Sequence, residues 1–236
     1  MSPSDHEGLL KGKNVLLTGA SRGIGRAIAE AYAKNGARLF IVARTTEKLE
    51  EVKESCEKLG SPEVTILEAD MLQEDDLAKI SEAVKGEVDV LVNNAGMATS
   101  GSILEGSPDE AAKLVTMNLI APMQLTILLA PQLHGHIINI SSVAGLHAIK
   151  SQSIYCASKW GLTGFSLTCF EDLKEKNVGV TAIFPAYTES SMTDSASFPS
   201  DKMIRPEDIA EAALLPFRMS KFACPSEIVV RNAIRP

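Results

Sequence analysis

The sequence predicts an α/β fold with a doubly wound parallel sheet of about seven strands in a single domain. Short apolar runs alternate along the chain with longer segments of helical periodicity. The runs are apolar at consecutive positions, which is typical of strands buried on both faces, and the helical segments between them indicate parallel pairing through crossovers. A chain of 236 residues, 45% of them hydrophobic, is long enough for one substantial core.

The first half of the chain contains four predicted strands and three predicted helices. Consecutive apolar residues predict strands at 14–18, 38–43, 64–68 and 88–92. Helical periodicity predicts helices at 24–35, 46–59 and 73–84. Gly36 and Gly60 follow the first two helices and are typical of helix ends.

The second half continues the alternation. We predict strands at 136–140, 178–184 and 228–230, and helices at 108–129, at 154–176 and within 205–218. Pro122 predicts a kink or interruption in the first of these helices, because proline removes a backbone donor. Pro206 suits the first turn of the last helix.

One long segment, 186–201, has no clear periodicity and is rich in serine and threonine. It follows the carboxyl end of a strand, which is where open α/β sheets bind ligands. We therefore predict that it is a substrate loop. We expect the polar start, 1–12, to be flexible, and we find no linker that would divide 1–236 into two domains.

Composition excludes several classes of function. The chain has 23 basic and 30 acidic residues, a formal net charge of -7, which argues against general binding to nucleic acid or an anionic membrane. Its start lacks the pattern of a secretory signal, and we find no apolar stretch of ~18 residues. The four scattered cysteines and four histidines match no metal-site spacing, so we expect reduced thiols, no metal and a cytoplasmic protein.

A glycine-rich turn joins the first predicted strand to the first helix. It reads Thr-Gly-Ala-Ser-Arg-Gly-Ile-Gly over 18–25. Gly19 permits a tight turn, and we expect Gly23 and Gly25 to let the backbone approach a pyrophosphate at the positive end of the helix. The spacing differs from G-x-G-x-x-G, and no Lys-Ser or Lys-Thr pair follows, so this is not an ATP-type phosphate loop.

This turn resembles the cofactor motif of the short-chain dehydrogenase/reductase family, whose fold is Rossmann-type. Four further segments resemble motifs of that family and occur in its order between Leu16 and Met192. They are Asn93-Asn94-Ala95-Gly96, Asn118 in Met-Asn-Leu, the serine segment Ile140-Ser141-Ser142-Val143-Ala144-Gly145, and Tyr155-Cys156-Ala157-Ser158-Lys159. Each pattern alone is weak, but the five together are specific.

The spacing of Tyr155 and Lys159 suits proton transfer. Residues at i and i+4 share a helix face. A free tyrosine has a pKa of ~10, and a nearby ammonium group is expected to lower it. The resemblance implies that Tyr155 is the general acid in reduction and the base in oxidation, that Lys159 lowers its pKa and binds the nicotinamide ribose, and that Ser142 hydrogen-bonds the substrate oxygen.

Three neighbouring residues receive lesser roles. The resemblance implies that Asn118 holds a water linking Lys159 to solvent. We choose Ser142 over Ser141 because Ser142 has the family's separation from Tyr155, and we expect Ser141 to satisfy backbone groups at the strand end. We interpret His147 as a surface or substrate-loop histidine.

Charge at the end of the second strand indicates the cofactor. NAD-selective sites usually place an acid there to bind the ribose 2′-hydroxyl, but this chain has Arg44 instead. Arg44 and Arg22 can meet a 2′-phosphate, which favours NADP(H). The resemblance implies that Asp70 contacts the adenine. The full set of expected cofactor-binding residues is Gly19, Ser21, Arg22, Gly23, Ile24, Gly25, Arg44, Asp70, Met71, Asn94, Ala95, Gly96, Tyr155, Lys159, Pro185 and Thr188.

The chain departs from the family after the sixth strand. Ala186 replaces the usual glycine after Pro185, and alanine is less permissive at positive φ, so backbone contacts to the nicotinamide amide are in doubt there. Thr188 stands where valine or isoleucine is common, which leaves the local register open.

The resemblance implies an NADP-dependent enzyme that interconverts a carbonyl and a secondary alcohol of a small molecule. A reductase of carrier-bound 3-oxoacyl chains and a catalytically silent nucleotide-binding regulator remain alternatives. Family members often form dimers or tetramers through two long helices, so we expect a homodimer or homotetramer. Phe165, Leu167 and Phe170 could serve that face or the core.

Overall fold

Seven parallel strands form one sheet in the part of the chain that the computed structural model describes, residues 8–86, 88–99, 101, 103–190 and 198–233. The strand order is β3-β2-β1-β4-β5-β6-β7. The strands are β1 Asn14–Thr18, β2 Arg38–Ala43, β3 Val64–Glu68, β4 Val90–Asn93, β5 His136–Ile140, β6 Gly179–Pro185 and β7 Glu227–Val230. The predicted doubly wound sheet is confirmed.

Helices connect the strands. They are α1 Gly23–Lys34, α2 Thr46–Leu59, α3 Glu74–Ala83, α4 Pro108–Val115, α5 Ala121–Leu129, α6 Ser153–Leu173 and α7 Pro206–Arg218. The observed bounds lie within about three residues of the predicted ones, as is usual at frayed ends. A 3₁₀ turn, Lys174–Lys176, occupies the end of the region predicted as one helix with α6.

The sheet separates two hydrophobic cores. One face packs α1, α2 and α7 through Ile28, Tyr32, Leu49 and Leu214, all essentially without solvent exposure. The other face packs α3, α5 and α6, with residues such as Leu125 in the centre. Because the side chains of a strand alternate between faces, each central strand contributes to both cores.

The predicted interruption near Pro122 is present, but it takes an unexpected form. Thr116–Ile120 is a π-helical turn between α4 and α5, just before the proline. The stretch Pro108–Leu129 is long and apolar enough to pass a length-and-composition test for a membrane span, contrary to our reading of the sequence. The core helix of a globular protein passes the same test, and this one packs under α3 and α6.

Two further expectations concern the N-terminal segment and the residues considered for an assembly face. Residues 1–7 lie outside the described residues, but flexibility does not hold for 8–12, because Leu10 is fully buried and its N–H donates to Asn35 at 3.0 Å. Of the three residues considered for an assembly face, Phe165 and Phe170 pack partly buried against a core. Leu167 is exposed.

Candidate active site

A cavity of about 740 Å³ lies along the carboxyl ends of the strands. This is the edge of an open α/β sheet at which the chain leaves each strand for the next helix, and ligands bind there. Loops after β1 to β6 all contribute to its wall. The volume falls within the range of ordinary ligand sites, about 300–1,000 Å³.

All of the predicted cofactor-binding residues lie in the wall of this cavity, and so does Ser142. The wall therefore brings together side chains from segments as distant in sequence as Gly19 and Thr188. Among the predicted catalytic residues, only Asn118 is absent from the wall.

The glycine turn is shaped by close backbone packing. Gly19 has φ +67°, and a Cβ there would lie 2.8 Å from the Cα of Ala95. Gly23 also has a positive φ, +55°. Gly25 has a packing role that the sequence analysis did not foresee: a Cβ there would lie 2.1 Å from the carbonyl oxygen of Gly19. Glycine is therefore required at 25 by the packing of the turn onto its own helix, in addition to any approach by a ligand.

The turns after β1 and β4 are tied to each other by side chains. The Thr18 hydroxyl accepts from the N–H groups of Asn94 and Ala95, both at 3.1 Å. The Asn94 amide donates to the carbonyls of Thr18 and Gly19, both at 3.0 Å. These four bonds hold the glycine turn against the turn that follows β4.

One end of the cavity is positively charged. Arg22, Arg44 and Lys48 line it, and among the described residues none of the three forms an ion pair. Asp70 is nearby in the wall, where its Oδ1 accepts from the N–H of Leu72 at 3.1 Å. The sequence prediction missed Lys48, although its position in the first turn of the helix after β2 was a usable signal.

The other end carries the hydroxyl groups. Ser142, just after β5, lies close enough to Tyr155 for its hydroxyl to lower the pKa of that phenol. The Ser142 hydroxyl also accepts from the N–H of Ala144 at 3.1 Å, which caps a short 3₁₀ turn and fixes the serine rotamer. Ser141 instead donates to the carbonyl of Lys159 at 3.3 Å, as expected of a hydroxyl that satisfies backbone groups.

Burial controls the charges of Tyr155 and Lys159. The Lys159 side chain is buried and donates to the carbonyl of Ile140 at 2.9 Å, and its Nζ lies 5.9 Å from the centre of the Tyr155 ring. Burial lowers the pKa of Lys159 from 10.5 to about 8. Burial raises the pKa of Tyr155 above its usual 10.0, and the Ser142 hydroxyl partly opposes that rise.

Burial dominates the pKa of Tyr155. The net direction is upward, and the lowering by Lys159 that the resemblance implies stays a prediction. The desolvation of the phenol outweighs the other influences. Tyr155 therefore holds its proton at neutral pH.

Asn118 lies behind the wall rather than in it. Its side chain is fully buried and accepts from the N–H of Met97 at 2.8 Å. Its amide donates to the carbonyl of Met97 at 2.8 Å and to the Ser158 hydroxyl at 3.1 Å. Both amide hydrogens are thus used inside the protein, and the expectation that Asn118 holds a water linking Lys159 to solvent stays a prediction.

The chain after β6 accommodates Ala186 without a positive φ. Among the described residues, only Ser151 and Asn177 have positive φ without being glycine, so Ala186 is unstrained. Its N–H donates to the carbonyl of Val230 at 2.9 Å and extends the pairing of β6 with β7. Thr188 is buried and its hydroxyl donates to the carbonyl of Ala186 at 3.1 Å.

Only part of the predicted substrate loop can be described. Residues 191–197, which include Met192, lie outside the described residues. At the base of the loop, Thr188 pairs with Ile204, and the ring of Tyr187 stacks on that of Phe198 with centroids 4.9 Å apart. His147 does not line the cavity; its Nε2 lies 2.5 Å from Nη2 of Arg231.

The sequence prediction did not name several further wall residues. They are Met97, Thr99, Val143, Ile149 and Gln152, together with Tyr187 and Ser190 of the predicted substrate loop, of which Ser190 lies beside Gly23 of the glycine turn. Ile149 and Gln152 stand between the serine segment and the tyrosine, and this position in the chain was the available signal. Tyr187 had no local signal beyond its place after the sixth strand.

Comparisons with known proteins agree with this geometry. The family described as short chain dehydrogenase matches residues 13–199. An uncharacterized oxidoreductase of Staphylococcus aureus (strain N315) is 32% identical over 231 residues, which cover 94% of this chain and 98% of the relative.

Two solved structures have the same fold over almost the whole chain. A metagenomic short-chain oxidoreductase in complex with NADP has a TM-score of 0.84 at 35% identity, covering 96% of this chain and all of that one. An alcohol dehydrogenase from the archaeon Thermococcus sibiricus, complexed with 5-hydroxy-NADP, has a TM-score of 0.86 at 26% identity, covering 95% and 98%. With its sheet order, its glycine turn and its Ser142–Tyr155–Lys159 cluster, this chain is an oxidoreductase that belongs to the short-chain dehydrogenase/reductase family.

Proposed function

We propose that this protein is an NADP(H)-dependent oxidoreductase that interconverts a carbonyl and a secondary alcohol of a small molecule. One observation carries the proposal. A single cavity has three cations and a glycine turn at one end, and Ser142, Tyr155 and Lys159 at the other. The two ends suit the phosphates of a dinucleotide and the oxygen of a carbonyl, respectively.

The wall residues fit such a dinucleotide. Helix α1 begins at Gly23 with no hydrogen bond from its N-cap side chain, so its first N–H groups are available to an anion facing the cavity. Arg22, Arg44 and Lys48 offer charge for a 2′-phosphate, while the end of β2 offers no acid for a 2′-hydroxyl. The NADP complex of the metagenomic relative supports the same choice.

Tyr155 is assigned the role of general acid in reduction. When bound, the nicotinamide supplies the hydride. Since burial raises the pKa of Tyr155, the phenol is protonated at neutral pH, and this is the form that can donate to the carbonyl oxygen. The N–H of Ala144 occupies one lone pair of the Ser142 hydroxyl, and when a substrate binds, the hydroxyl hydrogen can turn from Tyr155 to the substrate oxygen.

Lys159 is assigned two tasks. Its Nζ has three donors, and among the described residues Ile140 is its one hydrogen-bond acceptor. The remaining donors can bind ribose hydroxyls at the cavity wall. With a pKa of about 8, the amine is mostly charged at neutral pH. Its positive charge stabilises the negative charge that develops on Tyr155 as the proton leaves.

Asn118 acts as a positioning residue in this proposal. Its bonds to Met97 and Ser158 join the loop after β4 to the helix that carries Tyr155 and Lys159. The π-helical turn in which it stands is a local distortion of a kind that often occurs at functional sites.

Cofactor titration tests the first half of the proposal. Purified protein is titrated with NADPH and with NADH, and the quenching of protein fluorescence gives both dissociation constants. We expect NADPH to bind at least about tenfold more tightly, because charge-assisted hydrogen bonds to the 2′-phosphate are lost with NADH. Equal or tighter binding of NADH would overturn the assignment to NADP(H).

The variant Tyr155→Phe tests the chemistry. With a panel of ketones and aldehydes, we expect turnover to fall by roughly 100-fold or more while the NADPH dissociation constant stays close to that of the wild type. Turnover that persists in Tyr155→Phe would contradict the proton-transfer role. NADPH binding with no turnover of the panel by the wild type would favour the silent nucleotide-binding regulator instead.

A further inference from the structure

We propose that the substrate part of the cavity accepts an uncharged carbonyl compound and rejects an anionic one. This inference rests on the proposed function and names the substrate class of the same site. Its starting point is the distribution of charge over the cavity wall, which is strongly uneven.

The cations of the wall lie at its far end. Arg22 follows β1, and Arg44 and Lys48 follow β2, whereas Ser142 follows β5. In the sheet order, β2 and β5 are three interstrand steps apart, or roughly 14 Å. Arg22 follows β1, which is two steps from β5, or roughly 10 Å, so salt screens the interaction of Arg22 with this end partly and that of Arg44 and Lys48 largely.

Apart from Lys159, no charged side chain among the described residues lines the wall around Ser142 and Tyr155. Val143, Ile149 and Gln152 line it, together with Tyr187. Tyr187 is held by Asn232, and the neighbouring cation Arg231 lies outside the wall, where it contacts His147. Among the described wall residues, Lys159 is the sole cation here, and its Nζ already bonds Ile140 beneath the Tyr155 ring.

The sequence of the substrate loop contains no cation. Residues 186–201 contain Glu189, Asp194 and Asp201 and no lysine or arginine, so the part of the loop outside the described residues supplies no compensating cation. A substrate carboxylate placed beside the reacting carbonyl would lose water without gaining a cationic partner, which disfavours its binding. The same charge disfavours an acidic carrier protein at this loop.

Gln152 is assigned as the polar recognition group of this end. It lies in the wall one residue before α6, three residues from Tyr155. It follows Ser151, whose φ of +62° is a strained conformation for serine, and whose carbonyl accepts from the N–H of Gly101 at 2.9 Å. A neutral amide in this position can bond an ester, amide or hydroxyl group of a substrate.

The test compares substrates that differ only in charge. An aryl α-keto ester and its α-keto acid, and a second pair with an alkyl group, are reduced with NADPH at pH 7. We expect kcat/KM for each ester to exceed that for its acid by roughly 100-fold, since a buried polar mismatch discriminates strongly. Acids reduced as efficiently as their esters would overturn the proposal.

A charge-rescue variant locates the effect. We expect Gln152→Lys to raise kcat/KM for the acids by about tenfold and to lower it for the esters. Ser153→Lys is the matched control: Ser153 is exposed and outside the wall, so the same added charge should give no rescue. Rescue by both lysines alike would assign the effect to general attraction and overturn the role of Gln152.

The two proposals fail in different ways. If NADPH binds but neither member of any pair is reduced, the proposed function is wrong, and the substrate class falls with it. If acids are reduced in preference to esters, the proposed function stands and the uncharged class is wrong.

A second observation, independent of charge, concerns the segment after β7. We further propose that Asn232 is a positioning residue that sets the substrate loop. Its side chain accepts from the N–H of Tyr187 at 3.2 Å and donates to the carbonyl of the same residue at 3.0 Å. It also donates to the carbonyl of Lys202 at 3.1 Å.

One side chain thus holds both ends of the substrate loop. Tyr187 enters the loop and lines the cavity, and Lys202 leaves it. Asn232 continues the hydrogen bonding of β6 with β7 beyond the Ala186–Val230 bond, so its amide replaces a backbone partner. The position of the Tyr187 ring, and of Phe198 stacked upon it, depends on these bonds.

The variant Asn232→Ala should affect carbonyl binding selectively. We expect KM for the best carbonyl substrate to rise about tenfold while the NADPH dissociation constant changes by less than about twofold. Asn232→Asp keeps the acceptor but places a carboxylate against two carbonyl oxygens, so it should not restore KM. Full restoration by Asn232→Asp, or an unchanged KM in Asn232→Ala, would overturn the role.

A matched control separates positioning from stability. Asn35→Ala removes a bond from an asparagine amide to the carbonyl of Ala31, 2.9 Å long, at the end of α1. It should lower stability without raising KM for the carbonyl. Equal increases in KM from both variants would show that lost stability, and not the placement of Tyr187, is the cause.

Discussion

Replacement of Gly25 by alanine tests the packing of the glycine turn most directly. The added Cβ would lie 2.1 Å from the Gly19 carbonyl oxygen and 2.5 Å from Nδ2 of Asn94. The first distance is about 1.3 Å short of the 3.4 Å at which ordinary van der Waals contact begins. Neither neighbour can yield easily, because the Gly19 oxygen and the Asn94 amide are bonded to each other at 3.0 Å.

The magnitude follows from that overlap. The turn must move by about 1 Å, and overpacking of this kind costs about 1–3 kcal/mol of stability. For a chain of this length, a loss of that size lowers Tm by roughly 3–10 °C. Because the turn carries the wall residues Gly19 to Gly25, a shift of about 1 Å should also raise the NADPH dissociation constant by roughly 10-fold or more, since hydrogen bonds from the turn to the phosphates are lost.

Thermal unfolding and NADPH titration measure the two effects. Gly164→Ala is the matched control, since Gly164 also lies within a helix but a Cβ there would meet nothing within 4 Å. That substitution should keep or slightly raise Tm, because alanine has about 1 kcal/mol better helix propensity than glycine. A Gly25→Ala protein with wild-type Tm and wild-type NADPH affinity would refute the reasoning.

Three further predictions follow from single contacts. Arg44→Ser should raise the NADPH dissociation constant by roughly 10–100-fold and leave that of NADH nearly unchanged, by fluorescence titration; equal effects on both cofactors would contradict a 2′-phosphate role. Burial lowers the pKa of His136 from 6.5 to about 4, so neutral His136 supports the fold fully above pH 6.5 and this support is lost as pH falls through about 4. Urea unfolding should therefore show that the free energy of unfolding of the wild type falls by up to about 3 kcal/mol over that window, and that of His136→Gln by less. Parallel pH profiles of the two proteins would contradict this role of His136. Ala186→Gly should lower the free energy of unfolding by about 0.4–1 kcal/mol, because alanine is unstrained there and glycine has a more disordered unfolded state; a more stable variant would show that the backbone prefers glycine.

Much of the fold was predictable from the sequence because strands and helices are local patterns. Consecutive apolar residues such as Val15–Leu17 can be buried only in a central strand, and the helical periodicity between strands leaves parallel pairing as the solution. The π-helical turn at Thr116–Ile120 was not predictable, because it depends on how Asn118 bonds to Met97 and Ser158.

The sequence by itself determined the family and the wall residues that stand in recognisable motifs, from Gly19 to Lys159. Those motifs are legible because turn geometry and helix spacing need particular residue types at fixed separations. Only the tertiary structure decided that Lys48 joins the cationic end, that Gln152 faces the neutral end and that Asn232 holds Tyr187. It also decided that burial raises the pKa of Tyr155, because desolvation depends on what packs around a group from distant parts of the chain and leaves no local trace in the sequence.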